Sequence, residues 1–275
     1  MKRFKAGQHE GVTWVRGLAG WNNFSINVFL YLVNGVLIDT GPVKLSAIIV
    51  PFLDEQKIET VLLTHYHEDH SGNAPYLAGR GIPVYINPSS LGRCREKTRL
   101  PLYRRLFWGN REAFSPYPLD GKLTAGGLTF KPVFTPGHVF DHRSFYLPEK
   151  GFFFTGDLFV TTRPQMVLNT ESTPRMIEDL KTVLQHDFTT VFCGHGGIVH
   201  RGREVLQKKL DYLQDIQGKV LFYHDQGLTV PEITRKLFPG KLHLEYLSCK
   251  EWASEHMVRS IITGKATAEN PRPRT

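Results

Sequence analysis

Residues 12–16 and 25–33 alternate or run continuously in apolar character, as β-strands do. Asn34-Gly35 ahead of Val36-Leu37-Ile38 is a strong two-residue hairpin signal, so the chain is expected to open as antiparallel sheet. Residues 44–53 carry apolar positions at helical spacing despite a β-branched run, and 60–64 read as a short buried strand that ends in polar residues. The theme repeats: a helix over 74–80, strands at 83–86, 128–134, 144–147 and 152–155, a helix over 173–185 and a strand at 190–193. Thr173 is expected to cap the 173–185 helix, with Pro174 in its first turn. Strands that deliver polar clusters at their ends, with helices between them, describe an α/β sandwich whose site lies along one edge.

After residue 201 the pattern turns helical, with segments predicted at 203–216, 229–238 and 249–262. Thr229-Val230-Pro231-Glu232 reads as a helix start, and Pro239-Gly240 as a stop. This divides the chain into a catalytic region at 1–200, a small helical subdomain at 201–264 and a loose polar tail at 265–275.

A length of 275 residues accommodates one large domain with a modest appendage. The start is basic but leads into polar residues, not an apolar run, so a secretory signal is not expected. No membrane span is expected either, because the most apolar stretch, 24–38, is interrupted by Asn27, Asn34 and Gly35. Three cysteines without a CxxC pair argue against a disulfide framework and for a reducing compartment, the cytoplasm by default. A net charge of +8 favours acidic partners: an anionic small molecule, nucleic acid or an anionic surface.

The densest chemistry is His65-Tyr66-His67-Glu68-Asp69-His70, directly after the 60–64 strand. Side chains crowded in this way converge on something that several of them bind at once. Imidazole with carboxylate suits zinc, whereas calcium or magnesium prefers an oxygen shell; iron and manganese also occupy nitrogen and oxygen shells. One loop cannot complete two coordination shells, and further donors follow strand ends later: His138 after Thr135-Pro136-Gly137, Asp157 after Thr155-Gly156, and His195 after Gly194. Each is preceded by glycine, which permits a sharp turn and close backbone approach.

Taken together, Thr64-His65-Tyr66-His67-Glu68-Asp69-His70-Ser71-Gly72, Thr135-Pro136-Gly137-His138, Phe154-Thr155-Gly156-Asp157 and Cys193-Gly194-His195 resemble the metallo-beta-lactamase fold superfamily in motif and order. Leu37-Ile38-Asp39-Thr40-Gly41 is similar to that family's first-hairpin exit. The resemblance implies a four-layer αβ/βα sandwich with two metal ions at one edge. It assigns His65, His67 and His138 to the first ion, Asp69, His70 and His195 to the second, and Asp157 to a bridge. It also implies hydrolysis by a metal-bridging hydroxide, with Asp69 or Asp157 moving the proton. Asp39 is then expected to support a ligand histidine from behind, and His142 to support the site or meet the substrate.

Segment 89–118 interleaves Arg93, Arg95, Arg99, Arg104 and Arg105 with Trp108 and other aromatics. It reads either as a basic, aromatic lid that gathers substrate or as a solvated helix whose aromatic stripe docks on the core or on a second copy in a homodimer. The leading functional expectation is cleavage of an ester, thioester or lactone, with an anionic substrate. A phosphodiesterase or ribonuclease-type hydrolase acting on RNA or a small phosphodiester is the alternative, and the helical C-terminal region is similar to the winged-helix-like unit of such relatives. A nucleic-acid-binding module with a vestigial site ranks last.

Overall fold

A computed structural model describes residues 4–21, 24–240 and 243–268. Strands β1 (Phe4–His9), β2 (Val12–Trp21), β3 (Phe24–Val33) and β4 (Val36–Ile38) form an antiparallel meander. Asn34 and Gly35 both take positive φ, 46° and 79°, the geometry that the β3–β4 hairpin turn requires. Helix α1 (Ser46–Asp54) then leads to β5 (Thr60–Leu62), and the short helices α2 (Glu68–Ser71) and α3 (Ala74–Gly79) to β6 (Val84–Ile86). Two more short helices, α4 (Leu91–Cys94) and α5 (Leu102–Trp108), precede β7 (Tyr117–Pro118). These strands make one sheet in the order β1-β2-β3-β4-β5-β6-β7.

The second half supplies β8 (Leu123–Ala125), β9 (Leu128–Phe134), β10 (Arg143–Leu147), β11 (Phe152–Gly156), β12 (Val167–Leu168), α6 (Thr173–Val183), β13 (Thr190–Cys193) and β14 (Gly197–Val199). Of these strands, all but β12 join a second sheet, ordered β14-β13-β11-β10-β9-β8. Helices α7 (Gly202–Asp225), α8 (Val230–Leu237), α9 (His243–Leu247) and α10 (Ser254–Thr263) follow, with β15 (Trp252–Ala253) pairing antiparallel to β12.

Three apolar layers explain why these elements stack as they do. Between the sheets, Tyr31, Val36, Ile38 and Leu62 meet Phe130, Phe145, Phe154 and Phe192. On the outer face of the first sheet, Leu30, Leu37 and Val61 pack against Ile49, Leu53, Leu77 and Phe107. On the outer face of the second sheet, Phe153 and Val191 pack against Ile177, Leu180, Leu206 and Met257. The result is the mixed α/β, four-layer sandwich, and helices α7, α8 and α10 share the third of these cores.

Several local expectations need correction. The amino-terminal strand β1 was absent from the sequence expectation; its hairpin turns on Glu10 and Gly11, at φ 48° and 78°. Ser172, with extended backbone, precedes the 173–183 helix, and Thr173 is its first residue, so Thr173 is not the cap. The freed Thr173 N–H is bound by Ser260 Oγ at 3.2 Å. Helix α7 runs on to Asp225 through Gly218, whose open surroundings cost the helix little packing. The helix predicted at 249–262 begins only at Ser254, because Cys249 and Lys250 adopt positive φ and Trp252–Ala253 extends along β12. The tail expected at 265–275 falls largely on residues 269–275, outside the described residues.

Candidate metal centre

The histidine loop leaves the end of β5 and is anchored from beneath by Asp39. This residue exits β4 at φ 59°, a left-handed conformation that is costly for a non-glycine residue and held by its surroundings. Its carboxylate accepts the Thr64 N–H at 2.9 Å, the Thr64 hydroxyl at 2.9 Å and His70 Nδ1–H at 2.8 Å. That bond fixes the His70 tautomer and turns Nε2 inward. The Thr64 hydroxyl also reaches His65 Nδ1 at 3.0 Å.

Donors from four loops meet here. His65, His67 and His138 form one group, and Asp69, His70, Asp157 and His195 form another; within each, the potential ligand atoms lie within 4.8 Å of one another. His65 Nε2 and His67 Nδ1 are 3.0 Å apart, and His67 Nδ1 and His138 Nε2 3.1 Å. His195 Nε2 lies 3.3 Å from Asp69 Oδ2 and 3.4 Å from Asp157 Oδ2. His70 Nε2 and Asp157 Oδ1 approach to 3.2 Å, yet neither buried atom has a hydrogen-bond partner. Buried polar atoms seldom go unmatched, so atoms that aim at a common point instead of at each other fit a cation between them.

Protonation in the first donor group agrees with that fit. Burial, reinforced by the neighbouring rings, holds His65 well below the usual histidine range, and burial with Arg104 does the same to His67. Both are therefore the neutral imidazoles that ligation needs. Burial pulls His70 down, but Asp157, Asp39 and Asp69 outweigh it and raise the group well above its ordinary value. Burial pushes Asp157 up, and His195 and His70 overcome it to hold the carboxyl well below its usual range.

Two glycines make the approach possible. A Cβ on Gly156 would stand 2.7 Å from His142 Nε2 and 2.9 Å from the Thr64 Cβ, at a φ of 49° that already favours glycine. On Gly194 it would stand 2.7 Å from His70 Cε1 and 3.1 Å from Asp157 Oδ1.

His142 lies behind this cluster. It is fully buried, its Nδ1 bonds the Thr135 carbonyl at 3.0 Å, and its Nε2 accepts the Asp157 N–H at 3.0 Å. Burial, with His138 nearby, pushes it down to about 3, so it is neutral and orients Asp157 through the backbone; it does not reach the cavity. Cys193 is also fully buried, on β13.

Sequence reasoning missed the distant supports. Glu171 holds His138 Nδ1 at 2.5 Å and accepts the Leu168 N–H at 3.0 Å, while the Asn27 carbonyl holds His195 Nδ1 at 2.7 Å. Asp179 accepts the Gly137 N–H at 2.6 Å. Asp141 accepts the Tyr66 N–H at 3.0 Å and the Ser90 hydroxyl at 2.6 Å. None lies within a recognisable local motif; only their acid or carbonyl chemistry could have nominated them.

Over the donors opens a cavity of about 250 Å³. His67, Asp69, His138, Asp157 and His195 border it, and its walls include Phe24, Phe107, Trp108, Met166, Leu168 and Trp252. Lys209 of α7 also borders it, buried, with Nζ donating to the Leu158 carbonyl at 2.6 Å. Of the segment 89–118, Arg104 and Trp108 line this cavity, whereas Arg93 and Arg99 line a neighbouring groove. Arg95 and Arg105 are exposed and border neither.

A family model for the metallo-beta-lactamase superfamily matches residues 26–195. Among curated proteins, the chain is 28% identical over 166 residues to an atrochrysone carboxyl ACP thioesterase of Aspergillus fumigatus, covering 60% of this chain and 47% of that one. It is 31% identical over 214 residues to the lactamase-like protein nscB of Trichophyton equinum, covering 75% of this chain and 55% of that one. The chain thus spans about half the length of these two relatives. A solved metallo-beta-lactamase family protein from Thermus thermophilus superposes with a TM-score of 0.68 at 20% identity, covering 91% of each chain. A metallo-beta-lactamase from Pontibacter korlensis gives 0.62 at 19% identity, covering 77% of this chain and 99% of that one. Over a matched region that runs from β3 through His195 and takes in every donor described above, this chain belongs to the metallo-beta-lactamase superfamily.

Proposed function

We propose that the chain is a dinuclear metal-dependent hydrolase that cleaves a thioester. The observation that carries this reading is the pair of convergent donor groups on the floor of a cavity with apolar walls. The thioesterase named among its relatives supports the choice of bond. His65, His67 and His138 would hold one ion, Asp69, His70 and His195 the other, with Asp157 between them. Zinc suits this nitrogen-rich set, and iron or manganese would fit the same donors.

When bound, the ions supply Lewis acidity and a water whose pKa is lowered towards neutrality. The chain's residues do the rest. Glu171, Asp39 and the Asn27 carbonyl lock the tautomers of His138, His70 and His195. Phe107, Trp108 and Trp252 exclude solvent around the scissile carbon, which strengthens every charge interaction there. Asp69 and Asp157 border the cavity and are the carboxylates placed to take the proton of the attacking water. The C–S bond breaks as C–O forms, and the proton leaves with the thiol.

An apolar-walled cavity of about 250 Å³ suits an acyl group better than a nucleic-acid strand, which favours this reading over the RNA alternative. The test is turnover of p-nitrophenyl acetate, an acyl thioester, a lactone and bis-p-nitrophenyl phosphate by metal-loaded protein. The thioester should show the highest kcat/KM; cleavage of the phosphodiester alone would overturn the reading.

A further inference from the structure

A second hollow, a groove of about 760 Å³, lies beside the apolar cavity, and His67 and Arg104 border both. Its walls carry five cationic side chains, Arg93, Lys97, Arg99, Arg104 and Arg111, against the carboxylates of Glu68 and Glu96. Arg104 and Arg111 are held deep within the fold. Arg104 pairs with Glu68 and Glu251, and fully buried Arg111 donates to the Cys94 and Arg93 carbonyls.

Lys97 and Arg99 are exposed, whereas Arg93 is half-buried and donates to the Tyr66 hydroxyl at 3.2 Å. Arg93 lies over the Tyr66 and Phe140 rings, 4.7 and 5.0 Å from their centroids, which holds its guanidinium in one plane. Lys97 makes an ion pair with Glu112 that is exposed on both sides and readily exchanged. Arg99 is exposed and makes no ion pair among the described residues.

A thioester with its carbonyl over His67 has two ends, and the two hollows differ in the same sense. An acyl chain matches the apolar cavity, whereas in the groove it would lie among cations; an anionic thiol arm matches the groove. We propose that Lys97 and Arg99 receive the phosphate of a phosphopantetheine arm, with its acyl group in the apolar cavity. This rests on the thioesterase reading and adds which end of the substrate lies where.

The test compares one acyl group carried on coenzyme A, on pantetheine, which lacks the phosphate, and on a phosphopantetheine-bearing carrier protein. Wild type should prefer the coenzyme A ester over the pantetheine ester by about tenfold in kcat/KM, through KM, and less so as salt rises. The double variant Lys97→Ala/Arg99→Ala should bring that ratio close to one, while Lys208→Ala, at an exposed lysine on α7, should leave it unchanged. A carrier-protein ester that loses the same factor in the double variant supports the proposal and assigns the arm to the carrier; loss confined to coenzyme A assigns it to the free cofactor. Equal wild-type rates on the coenzyme A and pantetheine esters, or an equal fall on both in the double variant, overturn the groove assignment and leave the thioesterase reading standing. No cleavage of any thioester overturns both.

Discussion

The histidine loop and helix α5 line the same cavity, and they are held differently. Between Thr64 and Ser71 the chain is pinned at short range: Asp39 binds Thr64 and His70, and the Ser71 hydroxyl donates to the Tyr66 and His67 carbonyls. Helix α5 inserts Phe107 and Trp108 into apolar surroundings, but its polar anchorage comes down to two residues. Tyr103 donates to Glu251 at 2.5 Å; Arg104 donates to Glu68 at 2.5 Å and to Glu251 at 2.7 Å. Glu68 belongs to the histidine loop, and Glu251 precedes β15 in the C-terminal region, so one arginine ties this wall of the cavity to both. The difference teaches that the histidine loop is held by several separate hydrogen bonds, whereas the polar anchorage of α5 passes through one compact charge network.

The largest effect should come from breaking the donor side. Asp157→Ala removes a carboxylate of the second donor group, proposed above to bridge the two ions, and kcat should fall at least about a thousandfold. Metal analysis should show the loss of about one equivalent of ion. Near-wild-type turnover with a full metal complement would remove Asp157 from the centre. Glu171→Ala tests a support instead of a donor. It frees the His138 ring, and metal affinity or activity should fall about 10- to 100-fold, with Glu171→Gln recovering part because one oxygen still accepts. Equal loss in both variants would mean that the charge of Glu171 matters more than its position.

On the α5 side, Arg104→Met leaves Glu68, 2% exposed, without its partner, and should cost about 3 kcal/mol of stability by denaturant unfolding. Adding Glu68→Leu removes the stranded charge and should restore most of that loss, while KM stays raised because α5 is no longer tied down. An unchanged unfolding midpoint in the single variant would show that the network does not bear on stability.

The same contrast governs how much was legible beforehand. Strands 128–134 and 190–193, and the donors that follow them, were readable because apolar period and glycine-flanked polar ends are local signals. The helix start at Thr229 was readable for the same reason, and there the Glu232 carboxylate accepts the Thr229 N–H at 2.8 Å. Glu171, Asp179 and Lys209 were not, since each acts through tertiary contacts tens of residues away and is surrounded in sequence by nothing unusual. Strand β1 escaped because its residues, Phe-Lys-Ala-Gly-Gln-His, alternate too weakly to announce a strand; pairing with β2 supplies the order instead. Cys249 and Lys250 carry the helical pattern of their neighbours, yet their backbone turns left-handed to let Trp252 join β12.

The smallest expected change in activity, with a distinctive pH signature, is at Asp179, which orients the loop of His138 by accepting the Gly137 N–H. Burial pushes this carboxyl up to about 7, with the Gly137 bond opposing it. In the unfolded chain it titrates near about 3.9. A carboxyl raised on folding binds its proton more tightly in the native state. Between those two values the native state therefore holds more protons, and stability falls as pH rises through that window. Asp179→Asn keeps an oxygen for the Gly137 N–H and removes the titration. Unfolding free energies measured from pH 4 to 8 should show the variant gaining on wild type as pH increases, with the difference levelling off above about 7. A difference that is constant across that range would mean that the carboxyl stays ionised in the folded protein, and that the Gly137 bond outweighs its burial.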